Sequence, residues 1–132
     1  PLICDEANLR AVAEALKRAH IESRPFESVL KKAEPGDFVY FDPPYHPVSK
    51  TASFTAYERG GFGEAEQRRL AGVFAELAAK GVRALLSNSD TALIRELYPA
   101  DVFRVEQVHA KRLVNSRADR RGEISELLVS TP

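Results

Sequence analysis

Asp42, Pro43, Pro44 and Tyr45 follow directly on Phe38-Val39-Tyr40-Phe41, and their types suit one kind of chemistry. Asp42 offers an acceptor-only carboxylate, and the carbonyls of Asp42 and Pro43 each precede a residue without an N–H. The proline pair fixes the direction of those oxygens at little entropic cost. Tyr45 adds a flat ring. Together they make a cradle for a planar heterocycle with an exocyclic amine: two acceptors for its two N–H bonds, and a ring to stack on. An aromatic amine is a poor nucleophile because its lone pair is delocalised into the ring. Hydrogen bonds from both amine protons to Asp42 and the Pro43 carbonyl favour a pyramidal nitrogen with a localised lone pair, which stabilises a transition state over the ground state. The plainer reading is a proline-rich turn after a strand, with Asp42 as a helix cap or core acid. A proline-motif ligand is excluded, since the tyrosine directly follows the prolines and the flank is an apolar strand.

The four-residue apolar run reads as a strand buried on both faces, of the kind found in the middle of a parallel sheet. Two prolines, unable to donate to a ladder, stop it. Asp42 and Tyr45 are therefore expected at the carboxyl end of a central strand, the edge where open α/β sheets bind ligands.

Asp-Pro-Pro-Tyr after an apolar strand resembles the catalytic motif of amino-methyltransferases that use S-adenosylmethionine. The wider stretch from Val39 to Tyr57 is similar to the DNA adenine methylase family. So are Gly61-Phe62-Gly63, Leu86-Ser87-Asn88-Ser89-Asp90-Thr91, and Arg121-Gly122 through Glu126-Leu127-Leu128. The resemblance implies methyl transfer from S-adenosylmethionine to the N6 amine of an adenine in double-stranded DNA. Asp42, Pro43, Pro44 and Tyr45 would be catalytic, with Asp42 also facing the cofactor. It implies an α/β fold: a partial, Rossmann-like methyltransferase sheet of parallel strands closed by a C-terminal antiparallel hairpin. Family members often carry an acid followed by Phe near the cofactor's adenine. Here the corresponding pair is Pro25-Phe26, so Phe26 either stacks on that adenine or belongs to the core.

Composition sets bounds. A chain of 132 residues with 44% apolar content is one domain or part of one. Its 19 basic and 19 acidic residues balance, so any attraction to nucleic acid must come from a local patch. The single cysteine, Cys4, excludes an internal disulfide framework, and His20, His46 and His109 are too scattered for a metal site. No stretch has membrane length and no signal-peptide pattern is present, so the expected setting is soluble and cytoplasmic, without membrane or metal.

In chain order, Asp5 to Ala19 is expected to be an amphipathic helix capped by Asp5, with Leu9, Val12, Ala13 and Leu16 on one face. A short strand near His20 to Ser23 and a brief helix around Phe26, Val29 and Leu30, ended by Pro35-Gly36, should follow. Some eighteen residues after Tyr45 lack periodicity, and loops of that length are usually functional or disordered. Ser49, Lys50, Thr51, Phe54, Thr55 and Tyr57 suit contact with phosphates and bases. The loop reads as a lid over a base extruded from the duplex, hinged at Gly60, Gly61 and Gly63, or as a surface loop with Phe54 and Tyr57 tucked inward. Glu64 to Lys80 is the longest helix, with Leu70, Val73, Phe74 and Leu77 on one face and Gly81 past its end. Val82 to Leu86 is a second apolar strand, parallel to the first across the connection. Ser87 to Asp90 should end it and cap a short helix, Thr91 to Tyr98, with a direct role for Asn88 left open.

Val102 to Arg112 and Glu123 to Ser130 read as an antiparallel pair. Lys111, Arg112, Arg117, Arg120 and Arg121 cluster between them against one acid, Asp119. A solvated tip explains this composition, and so does a phosphate-contacting patch, which the resemblance favours. Similar enzymes carry polar residues near Asn115 in the base pocket. The glycine-rich cofactor turn and the target-recognition domain of such enzymes are absent. Residues 1–132 are thus expected to be the C-terminal part of a catalytic domain, inactive alone and partnered by the rest of that domain. Competing readings are the same chemistry on RNA adenine or another planar amine or amide, and a catalytically silent nucleic-acid-binding module.

Overall fold

A computed structural model describes residues 4–48, 61–111 and 123–132. The elements are α1 (Glu6–Leu16), a 3-10 helix (Phe26–Lys31), β1 (Phe38–Phe41), α2 (Glu64–Ala79), β2 (Arg83–Ser89), α3 (Ala92–Leu97), β3 (Arg104–Lys111) and β4 (Glu123–Ser130). The strands form a mixed four-stranded sheet in the order β1-β2-β4-β3. β1 runs parallel to β2, with Phe38 opposite Arg83 and Phe41 opposite Leu86. β4 runs antiparallel to both neighbours, with Asn88 of β2 and Gln107 of β3 both opposite Leu127.

The long apolar face of α2 forms as its spacing predicts, and it lies on one face of the sheet. Leu70, Val73, Phe74 and Leu77 pack with Phe41, Ala84, Leu86, Leu127 and Val129. Phe74 is the hub, its ring 5.4 Å from those of both Tyr98 and Phe103 and 6.2 Å from that of Phe41. Gly81 leaves the helix with φ at +74°, a conformation that glycine adopts without the Cβ penalty. Val82 then begins the return to the sheet.

Several expectations are corrected. Among the described strands β1 lies at the edge of the sheet, not at its centre. Its burial is one-sided: Phe41 is buried, whereas Phe38 and Tyr40 on the opposite face are 61% and 54% exposed. The apolar run encodes a capacity for burial on both faces, and the described residues supply a helical layer to only one. α1 forms with Asp5 as its cap, accepting from the Asn8 N–H at 3.0 Å. Its stripe of Leu9, Val12 and Leu16 is nevertheless exposed.

Residues 20–25 form no strand. Instead Glu22 gathers Arg24, Lys32 and His20 around its carboxylate. β2 runs on through Ser89, and the cap of α3 is Thr91, whose Oγ1 accepts from Ile94 N–H at 3.4 Å. The ladder to β4 carries those serines in place of a turn, pairing Ser87 with Leu128 and Ser89 with Glu126. No helix among the described residues is long and apolar enough to cross a membrane.

Candidate active site

The site forms where the parallel pair β1 and β2 ends. Pro43 and Pro44 terminate β1, so the chain leaves the sheet with Asp42 exposed to solvent. Its Oδ1 accepts a hydrogen bond from Ser87 Oγ at 3.2 Å, and Ser87 Oγ lies 3.0 Å from the Tyr40 hydroxyl. Ser87 is buried on the neighbouring strand, so it ties the carboxylate of the exposed Asp42 to β2 through one oxygen. The Tyr45 side of the cradle is also open: that residue is 37% exposed. Partial burial raises the phenol pKa above its usual value, and the charges of Glu126 and Asp42 push the same way, while Ser87 opposes them. Tyr45 is thus a neutral ring at physiological pH.

The backbone after Asp42 is held from beneath. Gln67 Nε2 of α2 donates to the Pro44 carbonyl at 2.8 Å. Asn88 Oδ1 of β2 accepts from the His46 backbone N–H at 2.9 Å, and His46 Nδ1 lies 3.0 Å from Thr91 Oγ1. Among the described residues the carbonyl engaged by the scaffold is that of Pro44, and no such bond engages that of Pro43. This arrangement leaves the Asp42 carboxylate and Tyr45 exposed, with the Pro43 carbonyl between them in the chain. It can accept two N–H bonds from one planar amine and stack against its ring.

The structure therefore brings Asp42, Pro43, Pro44 and Tyr45 together at the sheet edge. Phe26 is half-buried against the core, its ring 5.8 Å from that of Phe62 and its face under the Arg69 guanidinium at 5.3 Å. Arg69 also pairs with Glu27. Ser49, Lys50, Thr51, Phe54, Tyr57, Asn115, Arg117, Arg120 and Arg121 fall outside the described residues, as do Thr55 and Gly60 of the loop. Gly63 caps α2, its N–H donating to Glu66 Oε2 at 2.9 Å. Among the described residues no group of three or more His, Cys, Asp or Glu is arranged to hold a metal ion.

Sequence reasoning gave Gln67 and His46 no part in the site, and it named Ser87 and Thr91 only within the stretch that carries the resemblance and as a strand end and helix start. A signal for Gln67 existed. It stands at helical spacing with Leu70, Phe74 and Leu77, a polar residue on an apolar stripe, and a buried amide requires partners.

Comparison with known proteins bears on this geometry. Residues 2–114 match the family model described as D12 class N6 adenine-specific DNA methyltransferase. The chain is 40% identical over 132 residues to the type II methyltransferase M1.LlaDCHI of Lactococcus lactis subsp. cremoris, covering 98% of this chain and 46% of that protein. It is 40% identical over 131 residues to the type II methyltransferase M.MjaIII of Methanocaldococcus jannaschii, covering 98% and 45%. It is 35% identical over 123 residues to the DNA adenine methylase of Escherichia coli K12, covering 93% and 44%. The chain spans a little under half the length of these curated relatives. An exposed Asp-Pro-Pro-Tyr cradle at a sheet edge, in a chain matched along most of its length, leads to one assignment: the chain belongs to the D12 class of N6 adenine-specific DNA methyltransferases.

Proposed function

We propose that the protein carrying this chain transfers a methyl group from S-adenosylmethionine to the N6 amine of an adenine flipped out of double-stranded DNA. In this reading residues 1–132 are the C-terminal part of a Rossmann-like catalytic domain, and the rest of that domain completes the cofactor pocket and covers the open face of β1. The observation that carries the reading is the Asp-Pro-Pro-Tyr run at the carboxyl end of β1, with Asp42 and Tyr45 exposed and the Asp42 carboxylate held by Ser87.

Asp42 accepts one amine proton and the Pro43 carbonyl the other, drawing the nitrogen toward a pyramidal geometry as its lone pair localises. Tyr45 stacks on the extruded base and holds its plane. Ser87 keeps the Asp42 carboxylate oriented through the reaction. No base is needed before the transfer, because the amine proton becomes acidic once the nitrogen is cationic, and Asp42 is then adjacent to receive it. The cofactor supplies an electrophilic methyl group when bound. Asp42, whose exposed carboxylate suits a cationic group, is the residue here that would face it, with Phe26 toward its adenine through whatever edge Phe62 and Arg69 leave open.

Ser49, Lys50, Thr51, Phe54 and Tyr57 are assigned to the lid over the base, and Asn115, Arg117, Arg120 and Arg121 to the arm that meets the phosphates. The setting is the cytoplasm, and the names of the type II relatives favour a restriction-modification context over a solitary methylase.

Two measurements test this. Labelled S-adenosylmethionine should place methyl groups on adenine N6 of duplex DNA, and Asp42→Ala in the enzyme that carries this chain should lower transfer by at least about 100-fold with its circular dichroism unchanged. Incorporation only into RNA or protein, or binding without transfer, would overturn the assignment. Replacing Arg117, Arg120 and Arg121 together by Ala should flatten the dependence of DNA affinity on salt by roughly 0.9 in log–log slope for each phosphate no longer neutralised. An unchanged slope removes those residues from the DNA arm.

A further inference from the structure

We propose that the buried amides Gln67 and Asn88 act as positioning residues, a clamp that fixes the backbone on both sides of Tyr45. The inference rests on the methyl-transfer reading above and deepens it. Gln67 is 1% exposed and Asn88 is fully buried. Gln67 Nε2 donates to the Pro44 carbonyl at 2.8 Å, immediately before Tyr45, and its Oε1 accepts from Asn88 Nδ2 at 3.1 Å. Asn88 Oδ1 in turn accepts from the N–H groups of His46, immediately after Tyr45, and of Ser89, each at 2.9 Å. The two amides thus form one relay between the flanks of the ring, anchored in α2 at one end and in β2 at the other.

The relay admits one orientation of each amide. Turning Asn88 over would set its NH2 against two N–H donors, and turning Gln67 over would set its carbonyl against the Pro44 carbonyl. Each misplaced group would be a buried polar atom without a partner, so the geometry is discrete. Thr91 adds a third tie through His46 Nδ1.

Packing alone does not explain these residues. Gln67 occupies a position on the stripe of Leu70, Phe74 and Leu77 where an aliphatic side chain would bury no polar group of its own. The carbonyl that Gln67 takes is the one next to the proposed substrate acceptor, so the clamp sets the direction of the Pro43 carbonyl without occupying it. A shift of about 1 Å in such a group is enough to cost on the order of 100-fold in rate.

The test uses the enzyme that carries this chain. Gln67→Met keeps the volume and removes the relay, and Asn88→Leu removes the acceptor for His46. Leu70→Ala, one turn along the same stripe, serves as a control that weakens the core without touching the loop. Gln67→Met should lower kcat about 10- to 100-fold with KM for DNA and cofactor held within about twofold. Backbone amide exchange at His46 should quicken in both clamp variants. Leu70→Ala should lose at least as much Tm with kcat within about threefold of wild type. If Gln67→Met keeps kcat within that range, or if Leu70→Ala loses kcat in parallel with Tm, the clamp is structural only and the proposal falls. Should the wild type fail to methylate adenine, the functional reading fails separately. Exchange at His46 still decides the clamp: protection lost in Gln67→Met upholds it, and unchanged protection overturns it.

Discussion

Tyr45 illustrates how much one side chain's role depends on its surroundings. Its hydroxyl stays protonated, because burial and the charges of Glu126 and Asp42 raise its pKa, so it does not ionise near neutral pH. What remains is a ring surface beside Asp42. If the ring acts by stacking on a base, the hydroxyl is dispensable and the ring is not. Tyr45→Phe should then keep kcat/KM within about fivefold, whereas Tyr45→Ala should lose the ~1–3 kcal/mol typical of one base–aromatic stack, roughly 5- to 150-fold. Steady-state kinetics on duplex DNA measures both, and equal losses in the two variants would show that the hydroxyl matters. At this scale the sequence was readable where chemistry is local. Asp42, Pro43 and Tyr45 are adjacent in the chain, so their juxtaposition needs no tertiary information. Ser87 reaches Asp42 across 45 positions and Gln67 reaches Pro44 across 23, and neither partnership can be read without strand pairing and helix docking.

Elements were legible in proportion to how far their own residues determine them. α2 carries an apolar stripe from Leu70 to Leu77 with a glycine past its end, and it forms where its spacing says. α1 forms for the same reason, yet its exposed stripe shows that amphipathicity predicts a helix and not its partner. The types of Ser87 to Asp90 favour a strand end and a helix cap, but cross-strand pairing with β4 outweighs that preference through Ser89. Capping falls to Thr91, and Asp90 is released for another task. Asp90 receives Arg95 of α3 on both carboxylate oxygens, at 2.6 and 2.8 Å, and Gln107 of β3 at 2.8 Å, so it joins three elements beside the site. The Arg95 hydrogen bonds hold its carboxyl below the usual carboxylate range. A depressed acid contributes stability that is fully present above its unfolded-state value, near 3.9, and is lost as pH falls through the lower folded-state value. The pair is partly solvated, so its contribution is under about 1 kcal/mol. Thermal unfolding across pH should show wild type losing Tm more steeply than Asp90→Asn below about pH 4. Glu22, Glu27 and Glu66 shift in the same direction in both proteins, so the difference isolates Asp90. Parallel curves would remove Asp90 as a joint.

Across the described residues, α2 layers one face of the sheet, and no helix layers the other, where Phe38 and Tyr40 are exposed. Successive strand residues point to opposite faces. Phe41, Ala84, Leu86, Leu127 and Val129 meet α2, and Phe38 and Tyr40 do not. The layered side closes on an aromatic cluster of Phe41, Phe74, Tyr98 and Phe103. Within it the Tyr98 hydroxyl is buried with no hydrogen-bond partner among the described residues. Burial drives its pKa well above the ordinary phenol value. The folded chain therefore keeps this proton at a pH where the unfolded chain, titrating near 10, has lost it. The unfolded state then binds fewer protons, so stability must fall as pH rises beyond about 10. Tyr98→Phe removes both the unpaired polar atom and the titration while keeping the ring contacts with Phe74 and Phe103. It should gain about 1 kcal/mol at neutral pH, with a larger advantage in alkali. Urea unfolding at pH 7 and at alkaline pH measures the two gains. A loss of stability at neutral pH would mean that the hydroxyl has a partner in solution, and a gain that does not widen in alkali would mean that Tyr98 does not govern alkaline unfolding.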